Sequence, residues 1–308
     1  MKNLLRIWTL TVLIFILAVA SASAGVLEYR AAMKRWYPQN ILSSQPFWGV
    51  AFDGSNIWAE WYQGPIYKIS ATDGTILGTY DVGSGQYMTF DGTNIWLCAG
   101  GSLVKIRAND GVVLGTYSVG GGAPNSILFD GTNIWVTTNT GQLVKVNPND
   151  GSILGTYLNH ESETGLAFDG TNIWVSTAYY GVFKVRPSDG TVLANYSAPT
   201  NGGGTFIAFD GSNVWVTGNS VVAKIRVSDG VTMGTYTVGG SPDALVFDGA
   251  NIWVASDGTN IITKIRANDG SILATYPVSS DPLDLTFDGA NIWVPTTGNG
   301  LFKIPVIQ

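Results

Sequence analysis

Phe247-Asp248-Gly249-Ala250-Asn251-Ile252-Trp253-Val254 recurs, with small changes, seven times along the chain. The Phe-Asp-Gly triplet begins at Phe52, Phe90, Phe129, Phe168, Phe209, Phe247 and Phe287, so successive copies stand 38 to 41 residues apart. Each copy sets a Trp six residues after its Phe: Trp58, Trp96, Trp135, Trp174, Trp215, Trp253 and Trp293. Working outward from the quoted copy, Ala244 to Phe247 reads as a strand A that Asp248-Gly249 turns into a strand B, Ile252 to Ala255. Ile261 to Arg266 is then strand C, and Asn268-Asp269-Gly270 turns it into strand D, Ser271 to Tyr276. Short β-branched and aromatic runs punctuated by Gly, Asp and Asn indicate antiparallel strands.

A four-stranded antiparallel unit repeated at about 40 residues predicts an all-β chain folded as a seven-bladed β-propeller. Neighbouring blades cover both faces of each sheet, which explains why Asn-Ile-Trp-Val is apolar on successive residues. The seven Trp residues then belong to the core. Only six strand D copies are present, ending at Tyr80, Tyr117, Tyr157, Tyr196, Tyr236 and Tyr276. Residues 47–308 hold the propeller, and residues 25–46 are expected to supply the closing strand of its last blade, around Met33 to Leu42. Pro38 fits there because an outer strand has a free edge.

Residues 1–24 read as a secretory signal peptide. Lys2 and Arg6 are its basic start, Trp8 to Ala20 its apolar stretch and Ala22-Ser23-Ala24 its cleavage site. The expected product is secreted or periplasmic, monomeric and without a membrane span. The net charge of −6 argues against nucleic acid as a partner. Cys98 is the only cysteine, which excludes an intrachain disulfide or a cysteine-based metal site, and it reads as a buried apolar thiol.

Positions that repeat in every blade serve the blade, so the positions that vary are the candidates for a ligand. The A–B and C–D turns share one rim and carry the monotonous Asp-Gly pairs. The D–A connections and B–C loops share the other rim and carry the variation. Seven lysines, Lys68 to Lys303, repeat in strand C, and Arg107, Arg186, Arg226 and Arg266 follow toward the Asp-Gly rim. The variable rim is therefore expected to lack basic residues. Its carboxylates and aromatics give the candidate ligand-binding residues Trp48, Glu60, Trp61, Tyr62, Tyr87, His160, Tyr179, Tyr180, Phe206, Asp243 and Asp284. Such a surface suits a neutral or cationic small molecule, a carbohydrate or a protein partner. Polar loops with aromatics lying over the core are the alternative reading.

Signals for catalysis are few. His160 is the only histidine, and His160 with Glu161 is the single candidate for a general base or metal ligand; a solvated loop histidine is the alternative. The Asp-Gly turns hold too few carboxylates for a calcium loop, and no metal or cofactor is expected.

The Gly239-Gly240-Ser241-Pro242 lead-in, the strand, Phe-Asp-Gly and Asn-Ile-Trp-Val-Ala together resemble YVTN-type and NHL-like propeller repeats over nearly all of residues 47–308. The pattern is also similar to the virginiamycin B lyase family propeller. That resemblance implies a ligand site in the central depression, where a His/Glu pair and a magnesium ion open a cyclic ester. The Glu-Xaa-His element is absent here, so none of that family's catalytic residues carries over. Lys264 to Tyr276 resembles quinone-cofactor propellers, but strand D ends in Tyr instead of Trp and the vicinal Cys pair is missing. The sequence thus points to an exported binding scaffold. The alternative is a virginiamycin B lyase-like lyase or a lactone hydrolase acting at the same depression.

Overall fold

Seven four-stranded antiparallel sheets make up the computed structural model, which describes residues 38–42, 45–158, 163–199, 206–298 and 300–306. In six of them the strands run A-B-C-D in chain order, beginning with Phe47–Phe52, Asn56–Trp61, Ile66–Ser70 and Ile76–Tyr80. The seventh combines Thr286–Phe287, Asn291–Thr296 and Gly300–Pro305 with an outer strand, Gln39–Leu42, from the start of the described chain. Gln39 pairs with Lys303 and Leu42 with Leu301. Each inner strand packs against the inner strands of the neighbouring blades, and the strand of blade seven meets that of blade one, which closes the ring around a channel. This is the all-β, seven-bladed propeller read from the repeat.

The repeated residues hold each blade by a fixed set of contacts. In blade six, Asp248 Oδ1 accepts the backbone N–H groups of Ala250 (2.8 Å) and Asn251 (2.6 Å), which forms the A–B turn. Its Oδ2 accepts the indole N–H of Trp253 at 2.7 Å. The same indole bond recurs in every blade, from Asp53–Trp58 to Asp288–Trp293. Burial pushes the Asp248 carboxyl up, but the N–H groups of Trp253, Asn251 and Ala250 outweigh it and leave the group below its ordinary range. All seven Trp side chains are completely buried.

Each Trp also carries a lysine ammonium over its ring, at 5.0 Å for Lys303 and up to 5.6 Å for Lys68. The ammonium then reaches the next blade. Lys68 donates to the Ala108 carbonyl at 2.6 Å, and Lys303 donates to the Ala71 carbonyl of blade one at 2.6 Å. One lysine therefore closes a blade over its Trp and fastens it to its neighbour. Tyr from strand D lies against the same Trp, as Tyr80 does at 5.5 Å from Trp58. The Asp-Gly glycine of the following blade leaves room for that Tyr: a Cβ on Gly111 would strike the Tyr80 ring. At the junction of blades seven and one, Ile41 replaces the Tyr, and a Cβ on Gly74 would strike it.

Candidate functional site

The channel is shaped by irregularities in strand A. Pairing with strand B slips between Phe47 and Gly49, Gly85 and Met88, Pro124 and Ser126, Glu163 and Gly165, and Pro242 and Ala244. Each slip is a bulge that releases a residue from the ladder, a device that re-aims side chains. The released positions hold Trp48, Gln86 with Tyr87, Asn125, Thr164 and Asp243.

Four of the candidate residues meet at the channel. Tyr87 of blade two and Phe206 of blade five face each other with ring centroids 6.1 Å apart and planes tilted by 53°. They bound a cavity of about 270 Å³ toward the variable rim, walled by Gln86, Asn125, Thr164 and Asp243. Both rings also border a second cavity of about 380 Å³, where Asp284 and Ser126 contribute polar walls. Gln86 Nε2 lies 3.2 Å from the Tyr87 hydroxyl and donates to it.

Asp284 owes its position to a break in blade seven. Thr286 pairs with Trp293 and Phe287 with Ile292, so continuing the ladder would set Asp284 opposite Pro295, which has no N–H to give. The freed carboxylate turns to blade one, where Oδ2 accepts the Val50 N–H at 2.9 Å, while Oδ1 accepts the Leu285 N–H at 2.8 Å. Burial pushes its carboxyl up to about 7 against the pull of those two N–H groups. Asp243 is also raised, first by burial and then by the hydrogen bond and charge of Asp257, with Asp281 adding to it. Asp284 and Asp243, after burial, push the Tyr87 hydroxyl upward in turn. Two carboxyl groups, Asp243 and Asp284, thus flank the aromatic pair without a compensating cation among the described residues.

The other candidates lie apart from this cluster. Trp48 stacks on Tyr62 at 4.2 Å and 12°, which turns its ring onto the B–C loop of blade one. Trp61 packs near Tyr67, at 6.5 Å. Tyr179 and Tyr180 are exposed on the B–C loop of blade four. His160 and Glu161 lie outside the described residues. Glu60 was expected in a loop but belongs to strand B and is completely buried. It stands opposite Gly49, where a Cβ would run into the Gln86 carbonyl. Glycine at position 49 lets the blade-two backbone approach this closely, beside the Gly85 N–H that Glu60 reaches. Glu60 Oε1 accepts the Gly85 N–H of blade two at 3.0 Å, and Oε2 is buried without a partner. Burial raises its carboxyl to about 8, opposed by the Gly85 bond.

Sequence reasoning missed Gln86, Asn125, Thr164 and Ser126. Counting back from each Phe would have found them: the residue three before is Gly49, Tyr87, Ser126, Gly165, Phe206, Ala244 or Asp284, one level of the channel. The residue four before gives the level above it.

A larger cavity of about 960 Å³ opens on the Asp-Gly rim between blades five and six. Its polar walls are already engaged in the fold: Asp210 and Asp248 hold Trp215 and Trp253, and Lys224 donates to the Ala267 carbonyl at 2.6 Å. All eleven lysines and arginines among the described residues lie in strand C or beside the Asp-Gly turns, and four of those arginines pair with the turn aspartates. An anionic quinone in the channel would meet Asp243 and Asp284 with none of these cations beside it. The channel residues do not fit such a cofactor. Among the described residues, no group of three or more His, Cys, Asp or Glu is placed to hold a metal ion.

No curated protein matches this chain. Residues 62–276, well over half of the 308, match the family described as outer membrane protein assembly factor BamB. The match spans most of the repeated blades, and on that span the chain belongs to the BamB family of β-propellers.

Proposed function

We propose that this protein is an exported, monomeric binding scaffold that engages its partner through the variable rim and channel mouth. The observation that carries the proposal is the segregation of charge. Every described cation is engaged toward the Asp-Gly half, whereas Asp243, Asp284, Tyr87 and Phe206 gather at the channel. A scaffold whose repeats supply stability can vary its loops for recognition, as loop sites on rigid frames do. The family description names an assembly factor of the outer membrane, which favours a protein partner and the periplasm as compartment. Among the described residues no helix is long and apolar enough to cross a membrane.

The test is a binding panel of basic peptides, neutral oligosaccharides and phosphorylated ligands on the mature protein, read by calorimetry. Basic or neutral ligands should bind, and Tyr180→Ala or Trp48→Ala should weaken a ligand that spans the rim. A preference for phosphorylated ligands would overturn the proposal.

A further inference from the structure

The cavity at the channel mouth has a composition more specific than an acidic surface. Its floor is two aromatic rings from blades two and five, brought to 6.1 Å although their strands are far apart in sequence. Its walls are Gln86, Asn125, Thr164 and Asp243, with Leu283 as the apolar side. Amide carbonyls and a carboxyl accept hydrogen bonds, and aromatic faces attract positive charge. The volume of about 270 Å³ lies just under the range for drug-sized ligands, so it suits a head group better than a whole cofactor.

The surroundings reinforce that choice. Asp243 faces Asp257 and Asp281 from neighbouring loops, and Asp257 Oδ1 is buried without a hydrogen-bond partner behind it. Asp284 lies on the far side of Tyr87. Isolated carboxylates are unfavourable in such a place unless a positive group joins them.

We infer that this cavity receives one organic cation, an ammonium or guanidinium group, seated against Tyr87 and Phe206 and paired with Asp243. The inference rests on the binding reading above and assigns it a ligand class. The cation donates its N–H groups to the Asp243 carboxylate and the amide oxygens while its carbon-bearing face lies on the rings. A partner's Lys or Arg side chain and a free amine or guanidine share this chemistry.

The experiment titrates the full mature chain with methylguanidinium and n-butylammonium, against n-pentanol and acetate as neutral and anionic probes of similar size. Both cations should bind at least tenfold more tightly than n-pentanol, and acetate should show no binding. Asp243→Asn should weaken the cations at least tenfold, and Phe206→Ala severalfold. Tyr87→Ala, which removes the other ring, should weaken them severalfold as well. Affinity should rise between pH 6 and pH 8 in the unaltered protein as Asp243 loses its proton, and the Asp243→Asn variant should lose that rise. Thermal unfolding of each variant verifies that it is folded.

A pentapeptide with a central Arg, compared with one carrying citrulline, separates the two sources. Tighter binding of the Arg peptide than of methylguanidinium assigns the site to a partner's side chain, and equal binding assigns it to a small free cation. Equal affinity for n-butylammonium and n-pentanol, or an Asp243→Asn variant with undiminished affinity, would overturn the inference. Retention of an oligosaccharide or peptide ligand by Asp243→Asn in that case would leave the scaffold reading standing.

Discussion

Replacing Glu60 by glutamine should stabilise the protein increasingly as the pH rises. Burial carries the Glu60 carboxyl from 4.5 to about 8 in the folded chain. Between those values the native state holds a proton that the unfolded chain has released. Folding stability contributed by this group therefore falls as pH rises through that window, and the loss is complete above about pH 8. At about 1.4 kcal/mol for each pH unit, the loss approaches ~5 kcal/mol by pH 9 as an upper bound. The glutamine of Glu60→Gln mimics the protonated side chain, since its carbonyl accepts the Gly85 N–H and it bears no charge in either state. Variant and unaltered protein should coincide near pH 4.5 and diverge steadily above it. Urea unfolding followed by circular dichroism from pH 4.5 to pH 9 measures the difference directly. The other raised carboxyls, Asp243 and Asp284, lower both curves together and cancel in the comparison. Parallel curves, or a variant less stable across the whole range, would show that Glu60 is ionised in the native state and would refute the reasoning.

Trp174→Ala should cost about 3–5 kcal/mol, because it deletes a completely buried indole together with its bond to Asp169. Tyr180→Ala, on the exposed loop of the same blade, should change urea stability by less than about 0.5 kcal/mol, and equal losses at the two sites would contradict the division between core and rim. Lys303→Met keeps the apolar stem but removes the donor to the Ala71 carbonyl, so a loss of about 1–3 kcal/mol is expected from chemical unfolding. Deleting residues 25–42 removes the strand that pairs with Gly300–Pro305 and exposes that edge; aggregation or a large fall in melting temperature should follow, and an unchanged melting curve would rule out a role in closure.

The blades were legible because each blade repeats the same local chemistry. Phe-Asp-Gly marks the end of strand A, and its Asp bonds both the turn and the Trp of strand B, so one short motif specifies two strands and the packing between them. The direction of the charges was legible for the same reason, since the strand C lysine follows its Trp in every unit. Glu60 was misplaced because it follows the strand B pattern of Asn-Ile-Trp-Ala and resembles a loop residue beside Trp61 and Tyr62. Its burial depends on Gly49, and the need for glycine there arises from the Gln86 carbonyl of another blade. No feature local to Glu60 reports it.

The channel itself depends on a kind of information that a period cannot carry. A bulge shifts the ladder, and the released residue gains freedom to face the channel. Its chemical identity is unconstrained by the blade, which is why the released positions differ, from Trp48 through Asn125 to Asp243. Tyr87 and Phe206 meet because closure of a seven-membered ring brings blades two and five across a narrow axis, a distance set by all the intervening blades. Stability and recognition are thereby separated within one strand: its Phe-Asp-Gly end repeats to hold the blade, and its bulged end varies to meet a ligand. Substitutions at the bulged positions should therefore alter binding at little cost to folding, whereas a substitution at Asp284 should also lower stability, because its carboxylate ties blade seven to Val50 of blade one.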